Sequence, residues 1–499
     1  MDDSIGKSLF RNTALMMAAQ MATWVSGFIL MVFLPRYLGS EGYGRLYLAM
    51  SIQLICQWLI DYGGQNYVPK EVSRDREHAS LLVMQSAYLR IALWAISMII
   101  TYLLCVTAHY SASVTLIVML LGTSNLWTNL TTLLRSCYQG FERMKYPSLA
   151  AVAERGFLMV AVVPALLLGA KETIVAILMG ASTLLSFAIC LKYVRRLFEY
   201  NFVVNTAGLK RLMREGLPYF LWSLFGVIYY RIDTVMLSVM TPDAVVGWYG
   251  AAYRFFDILM FLPSIYTQAL YPILTKLTKS ESGSMKNVSQ KSLEFLFLSG
   301  IPVAVILIFF SNFIIQFLFG MEQFAPSVIV LQIFSAGILL VYADFVIGGT
   351  ILALDKQKEW ALVALAAVFL NVGVNFFLIP HFQSLVGNGG IGAAIATDLT
   401  ELFIMISGII LLPRGIFNKK LLPVIAKGCT SGIVMGIAIQ GAKALGFPFA
   451  ASAGCGLMAY LATLLATSVF EPAEIKFIAQ SLSVQNLRKA LSERRSASA

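Results

Sequence analysis

The sequence predicts an all-α membrane protein of about fourteen transmembrane helices, set as two parallel six-helix lobes with two further helices behind them. Three observations predict it. Of the 499 residues, 58% are hydrophobic and 13% charged, whereas water-soluble domains run nearer one half apolar and one quarter charged. A soluble interior stops growing well before this size, so the bilayer must solvate much of the chain. Apolar runs of about 20 residues, enough to cross a bilayer as a helix, recur from end to end. Finally, the second group of six runs repeats short features of the first, in order.

The runs lie near residues 13–34, 44–61, 80–105, 114–136, 148–168 and 173–193, then 218–240, 245–271, 290–310, 326–347, 360–379 and 391–412, and last 421–442 and 449–470. The first is too long for a signal-peptide core and lacks a cleavage site, so it reads as an anchor. Gly27, Pro164, Gly226, Pro263, Pro302 and Gly337 fall inside runs, which membrane helices tolerate when neighbours satisfy the backbone. The predicted organisation is an N-terminal lobe over 1–204, a linker over 205–217, a second lobe over 218–412, two extra helices over 413–472 and a tail over 473–499. In the linker, Leu209, Leu212, Met213 and Leu217 recur at helical spacing opposite Lys210, Arg211 and Arg214. That pattern suits a helix lying on the membrane surface. The stretch 492–499 is polar and Ser-rich and is predicted to be disordered.

Orientation comes from lysine and arginine. Of the 37, 29 fall in connectors of one parity, together with both ends of the chain, and four lie within helices. The opposite connectors carry Arg36, Arg45, Lys171 and Lys443. By the positive-inside rule the basic face is cytoplasmic, which puts both termini there in a cytoplasmic (inner) membrane. The same spacing accounts for the net charge of +11. The basic residues form short clusters between apolar runs, not one face of a domain, so nucleic acid is not an expected partner.

Other chemistries find little support. Cys56, Cys105, Cys137, Cys190, Cys429 and Cys455 lie in or beside apolar runs with no metal or redox spacing, and read as small buried hydrophobes. His78, His109 and His381 are the chain's histidines, and all fall in predicted loops. No Gly-x4-Gly-Lys-Ser/Thr loop occurs, so ATP hydrolysis is not expected. No cofactor, no metal and no enzymatic activity are expected.

The repeat is weak but ordered. Gly42-Tyr43-Gly44 at the second run matches Gly247-Trp248-Tyr249 at the eighth. The connector 139–145 corresponds to 353–359, and Gly180-Ala181-Ser182-Thr183 to Gly392-Ala393-Ala394-Ile395. Six crossings, an even number, separate the copies. The lobes therefore share one orientation, related by a pseudo-twofold axis along the membrane normal.

Longer stretches point to a family. Pro35-Arg36-Tyr37-Leu38-Gly39-Ser40-Glu41-Gly42-Tyr43-Gly44 resembles the first outer loop of the polysaccharide (lipid-linked oligosaccharide, O-antigen type) flippases of the MATE-like superfamily. Residues 231–237 with 246–254 are similar to their seventh and eighth helices, and 371–380 with 390–397 to their eleventh and twelfth. The resemblance covers about residues 10–412. It implies transport of undecaprenyl-pyrophosphate-linked sugars between leaflets by two lobes that open alternately, with membrane lipid and other polysaccharide-assembly proteins as partners. Two extra helices are usual in that branch. A MATE-type drug or cation exporter is the leading alternative, and a membrane polysaccharide polymerase or acyltransferase a more distant one. A polymerase would need a sizeable outer loop, which these connectors do not provide.

Ionisable groups inside a membrane helix cost about 2.5–3.5 kcal/mol each and are usually paired or functional. Here they are Asp61, Arg90, Glu154, Arg155, Arg231, Asp233, Arg254, Asp257, Asp344, Asp398 and Glu401. Asp61 and Asp344 sit near helix ends and read as interfacial. Asp398 and Glu401 are three apart and share a helix face. Two like charges there favour a shared proton or a cation, which makes them coupling-ion candidates. A pyrophosphate crossing the bilayer needs fixed positive charge, and guanidinium supplies it in bidentate form. Arg90, Arg155, Arg231 and Arg254 are accordingly the substrate-binding candidates. Arg254 and Asp257, three apart, can pair within one helix, whereas Arg231 and Asp233, two apart, cannot. Arg231 is therefore expected to point at substrate.

Overall fold

The computed structural model describes residues 3–194, 206–278, 282–413, 415–416 and 421–469. The tail 473–499 and the first linker residue, 205, lie outside them. Every regular element among the described residues is helical. In order they are α1 (Asp3–Asp61), α2 (Gly64–Arg74), α3 (Ala79–Thr107), α4 (Ala112–Gly140), α5 (Lys145–Leu167), α6 (Glu172–Val194), α7 (Thr206–Met240), α8 (Asp243–Leu259), α9 (Phe261–Leu277), α10 (Ser282–Leu318), α11 (Met321–Phe324), α12 (Ser327–Ala353), α13 (Gln357–Val386), α14 (Gly389–Leu411), α15 (Leu421–Ala444) and α16 (Phe449–Ala466).

Thirteen segments are long and apolar enough to cross a membrane. One of them holds two crossings. At 59 residues α1 would measure about 90 Å if straight, against about 30 Å of hydrocarbon, and it is turned at Gly39, where φ is 70° and ψ 177°. Only glycine adopts that backbone without strain. The described residues thus make fourteen crossings, as the hydropathy pattern predicts. The eighth is built from α8 and α9, which follow each other with a break at Met260. Ser111 starts α4 by accepting from the Val114 amide at 3.3 Å. Asn388 does the same for α14, from the Gly390 amide at 3.1 Å.

The two lobes pair their helices alike. In the first, α4 packs on α6, α5 on α6 and α3 on α4. In the second, α12 packs on α14, α13 on α14 and α10 on α12. This is the arrangement a parallel repeat produces. The helices α15 and α16 pack on each other and on α10, outside both lobes. Gly428, Gly432 and Gly436 let α15 come close to Leu298, Ile301 and Phe309 of α10.

Some local expectations differ from what is observed. The segment expected as a surface helix is the beginning of α7, continuous with the seventh crossing. Its Leu212 is buried with Tyr67 and Leu89 of the first lobe. Cys56, Cys105, Cys137 and Cys190 are buried, but Cys429 is exposed, as suits a helix whose outer face meets lipid. His381 belongs to α13, which runs past Pro380 to Val386.

Candidate functional site

Four places carry the polar chemistry of the molecule. The first is a seal between the lobes, on the face opposite the basic connectors. The start of the second half of α1 lies directly against the start of α8. A Cβ on Gly44 would collide with the Asp243 carbonyl, and one on Gly247 with the Ser40 carbonyl. Glycine is required here because backbone meets backbone. These are the two copies of the repeat motif, facing each other across the lobe boundary. Around them Arg45 reaches Glu172 at 2.8 Å and Asp243 at 3.3 Å. The Gln323 side chain of α11 accepts from the Ser40 amide at 3.0 Å, and its carbonyl accepts from the Trp248 indole at 2.7 Å.

Beneath the seal lies the second place, a cluster of Tyr43 and Tyr47 from α1, Arg231 from α7, and Tyr253, Arg254 and Asp257 from α8. Arg231 grips Asp257 through one nitrogen at 3.0 and 3.2 Å and donates to the Tyr47 hydroxyl at 3.2 Å. Its guanidinium lies over the Tyr253 ring, 5.1 Å from the centroid. The expected assignment is thereby reversed. Asp257 goes to Arg231 of another helix, and Arg254 makes no ion pair among the described residues. Its buried Nε has no hydrogen-bond partner there either. Three apart allows a pair on one helix, but packing decides which cation gets the carboxylate.

The third place is a cavity of about 460 Å³ within the first lobe, in the half nearer the basic face. It is walled by Gln57 of α1, Gln65 of α2, Thr128, Thr132, Arg135 and Gln139 of α4, Glu154 and Arg155 of α5, and Thr183 of α6. Arg135 donates to Glu154 at 3.2 Å and to the Ser186 hydroxyl at 3.0 Å. Arg155 makes no ion pair among the described residues. Arg135, at the end of the fourth apolar run, is not among the intramembrane charges picked out from the sequence. The signal was present as a polar stripe at helical spacing along α4.

The fourth is a larger cavity of about 810 Å³ in the second lobe, closed on one side by Trp58 of α1. Its walls are aromatic and apolar, with Tyr229, Tyr230, Tyr271 and Trp360, and it contains two carboxyls, Asp344 and Glu401. Glu401 accepts from the Tyr229 hydroxyl at 2.8 Å. Asp344 is 9% exposed and faces the Glu401 carboxyl in the cavity. It is therefore part of a cavity wall and not the interfacial residue its position near a helix end suggested. Asp398 shares the helix with Glu401 but abuts the α12 backbone at Gly337, away from the cavity lining. No group of three or more His, Cys, Asp or Glu among the described residues could hold a metal.

Two of the intramembrane charges are structural. Arg90, 1% exposed, meets Asp61, 2% exposed, at 2.5 Å and also donates to the Asn129 carbonyl. Asp61 in turn accepts from the Gln65 amide at 3.1 Å. Arg90 thus faces no cavity, and Asp61 is buried and not interfacial, because each satisfies the other. Asp233 is buried as well. It accepts from Tyr249 at 2.9 Å, Asn375 at 2.6 Å and Thr397 at 2.8 Å, which ties α7 to α8, α13 and α14.

Comparison with known proteins gives the arrangement a context. The family described as polysaccharide biosynthesis protein matches residues 9–278, and the MatE family matches residues 218–377. A probable low-salt glycan biosynthesis flippase of Haloferax volcanii is 27% identical over 179 residues, a match spanning 36% of the length of each chain. A protein of Escherichia coli K12 named "Putative O-antigen transporter" is 22% identical over 408 residues, covering 79% of this chain and 94% of its own. Among solved structures, the lipid II flippase MurJ in an inward closed conformation superposes with a TM-score of 0.73 at 15% identity, over 92% of this chain and 100% of that one. An inward-facing multidrug resistance MATE family transporter gives a TM-score of 0.56 at 15% identity, over 79% and 93%. At such identities the structural likeness shows a shared fold.

Proposed function

The chain belongs to the polysaccharide biosynthesis protein family, and from that premise we propose that it moves a lipid-linked oligosaccharide across the cytoplasmic membrane by alternating access. In this reading the basic face is cytoplasmic, with both termini on it. The glycan hangs from a membrane lipid through a pyrophosphate, and the substrate comes from and goes to other polysaccharide-assembly proteins. The observation that carries the reading is the pairing of unlike cavities beneath a closed face. A polar cavity with Arg155 lies in one lobe, an apolar aromatic one in the other, and the unpaired Arg254 lies among buried tyrosines below the seal. An amphipathic substrate with an anionic joint needs all three.

Arg254 and Arg155 bind the pyrophosphate, since both are intramembrane cations without an ion pair among the described residues, Arg155 in the first-lobe cavity wall and Arg254 in the tyrosine cluster. Arg231 positions the cluster through Asp257, and Arg90 holds the first lobe together. Glu401 and Asp398, with Asp344 beside Glu401 in the cavity, take the coupling proton or cation. A burst of protonation or cation binding in a low-dielectric wall alters the charge the two lobes present to each other.

The test is genetic and chemical. In a strain lacking this chain and any second flippase, lipid-linked oligosaccharide is expected to accumulate on the cytoplasmic leaflet and surface glycan to disappear. Wild-type chain is expected to restore export, and Arg254→Gln combined with Arg155→Gln to fail while reaching the membrane at normal level. Normal surface glycan in the null strain would exclude the reading.

A further inference from the structure

The polar stripe of α4 does something the pyrophosphate does not require. Thr128, Thr131, Thr132, Arg135, Ser136 and Gln139 follow one another at spacings of three, one, three, one and three, which places them on one helix face. All six line the first-lobe cavity. A crossing helix gains nothing structural from hydroxyls and amides on such a face, because each is costly to hold away from water unless something satisfies it.

The hydrogen bonds show what is left over. The Thr128 hydroxyl donates to the Ser124 carbonyl at 3.0 Å, Thr131 to Trp127 at 2.7 Å and Thr132 to Thr128 at 2.8 Å. Each hydroxyl has one proton, and here it is spent on the helix itself. What these residues retain is acceptor capacity. A pyrophosphate is an acceptor and finds nothing to bind in a row of acceptors. Arg135, the one cation in the stripe, is already held by Glu154 and Ser186, so the stripe is close to neutral. Its buried donor without a partner among the described residues is the Arg135 Nε, and the side-chain amides of Gln57, Gln65 and Gln139 share the cavity. Acceptors interleaved with neutral or neutralised donors match a group that both donates and accepts at short intervals. Sugar hydroxyls do that.

Building on the function proposed above, we propose that the α4 stripe is the glycan-reading subsite of this chain: it binds uncharged sugar hydroxyls through the threonine acceptors, on the α4 wall of the cavity that Arg155 also lines, while Arg254 lies outside that lining. Discrimination then rests on hydroxyl placement, since a site built to hydrogen-bond a hydroxyl strongly rejects an analogue that lacks it.

The experiment uses the oligosaccharide released by mild acid from the lipid-linked pool of the null strain, and inorganic pyrophosphate, each titrated calorimetrically into the purified full chain. Thr128→Val combined with Thr132→Val keeps the side-chain shape and removes two acceptors. It is expected to weaken the oligosaccharide by at least about tenfold, the loss of two ordinary hydrogen bonds, and to leave pyrophosphate binding unchanged, which also shows that the variant is folded. Arg254→Gln, at a residue outside the cavity lining, is expected to do the reverse. Oligosaccharide binding retained within about twofold in the threonine variant, or absent in the wild type, overturns the subsite. Absence of any lipid-linked pool in the null strain would instead remove the function on which it rests.

Discussion

Arg90 and Asp61 make the most enclosed ion pair in the described part of the molecule, 2% and 0% exposed at their side chains. Their mutual attraction offsets the desolvation of both, so the pair matters most when it is broken on one side. Arg90→Gln is expected to destabilise the chain by about 3–5 kcal/mol, seen as a fall in the melting temperature of detergent-purified protein. Adding Asp61→Asn is expected to recover much of that loss, because it removes the stranded charge. If Arg90→Gln melted normally and abolished substrate binding, Arg90 would belong with the transport residues after all. Arg231→Gln is expected to behave in an intermediate way: it frees Asp257 inside the cluster, so export falls even though Arg254 remains. At this scale the sequence identified the buried charges but not their partners. Spacing along one helix made Arg254 the natural mate of Asp257. The real mate is Arg231, 26 residues away on a neighbouring helix. Arg135 was legible all along, because helical spacing of Thr128, Thr131, Thr132 and Gln139 needs no structure to be seen.

Among the elements, α1 and α8 govern the closed face. Their approach depends on Gly44 and Gly247, where any side chain would meet a carbonyl of the opposite lobe. Gly247→Leu is expected to force the two helix starts apart and bias the molecule open on that face. With Tyr43→Cys as reporter, a membrane-impermeant maleimide added from outside should label the variant much faster than the glycine parent. Equal labelling would show that the seal is made elsewhere. Arg45 contributes less. Its side chain is 24% exposed, so water screens its pairing, and Arg45→Gln is expected to cost about 1 kcal/mol or less, read as a small shift in the same labelling rate. Periodicity and hydropathy located each crossing to within a few residues. They did not show that the seventh begins as far back as Thr206, with Leu212 buried against Leu89 and Tyr67 while Met213 and Leu217 of the same stripe stay exposed. The break at Met260 is marked by Pro263, which has no amide to bond the Leu259 carbonyl four residues back.

For the whole molecule, the two lobes repeat the same pairings in the same sense, and the lysine and arginine asymmetry gives that shared sense a direction. Reporters fused at Ser111, Asp243 and Gly387 are expected to read as external, and those at Met144 and Ser282 as cytoplasmic. If Asp243 and Ser282 reported one side, the eighth crossing would be wrong. The second lobe is held by Asp233, which joins four of its helices through three hydrogen bonds. It is therefore built to turn as a unit. The seal has a further consequence. A carrier wide enough for a sugar chain risks becoming a leak for protons. Side-chain gates fluctuate among rotamers and admit files of water between them. Main chain pressed against main chain at Gly44 and Gly247 has no rotamers to fluctuate and no gap in which such a file could start. The closed face can insulate against protons while the halves beneath it stay roomy, and two residues without side chains are what keep the two demands apart.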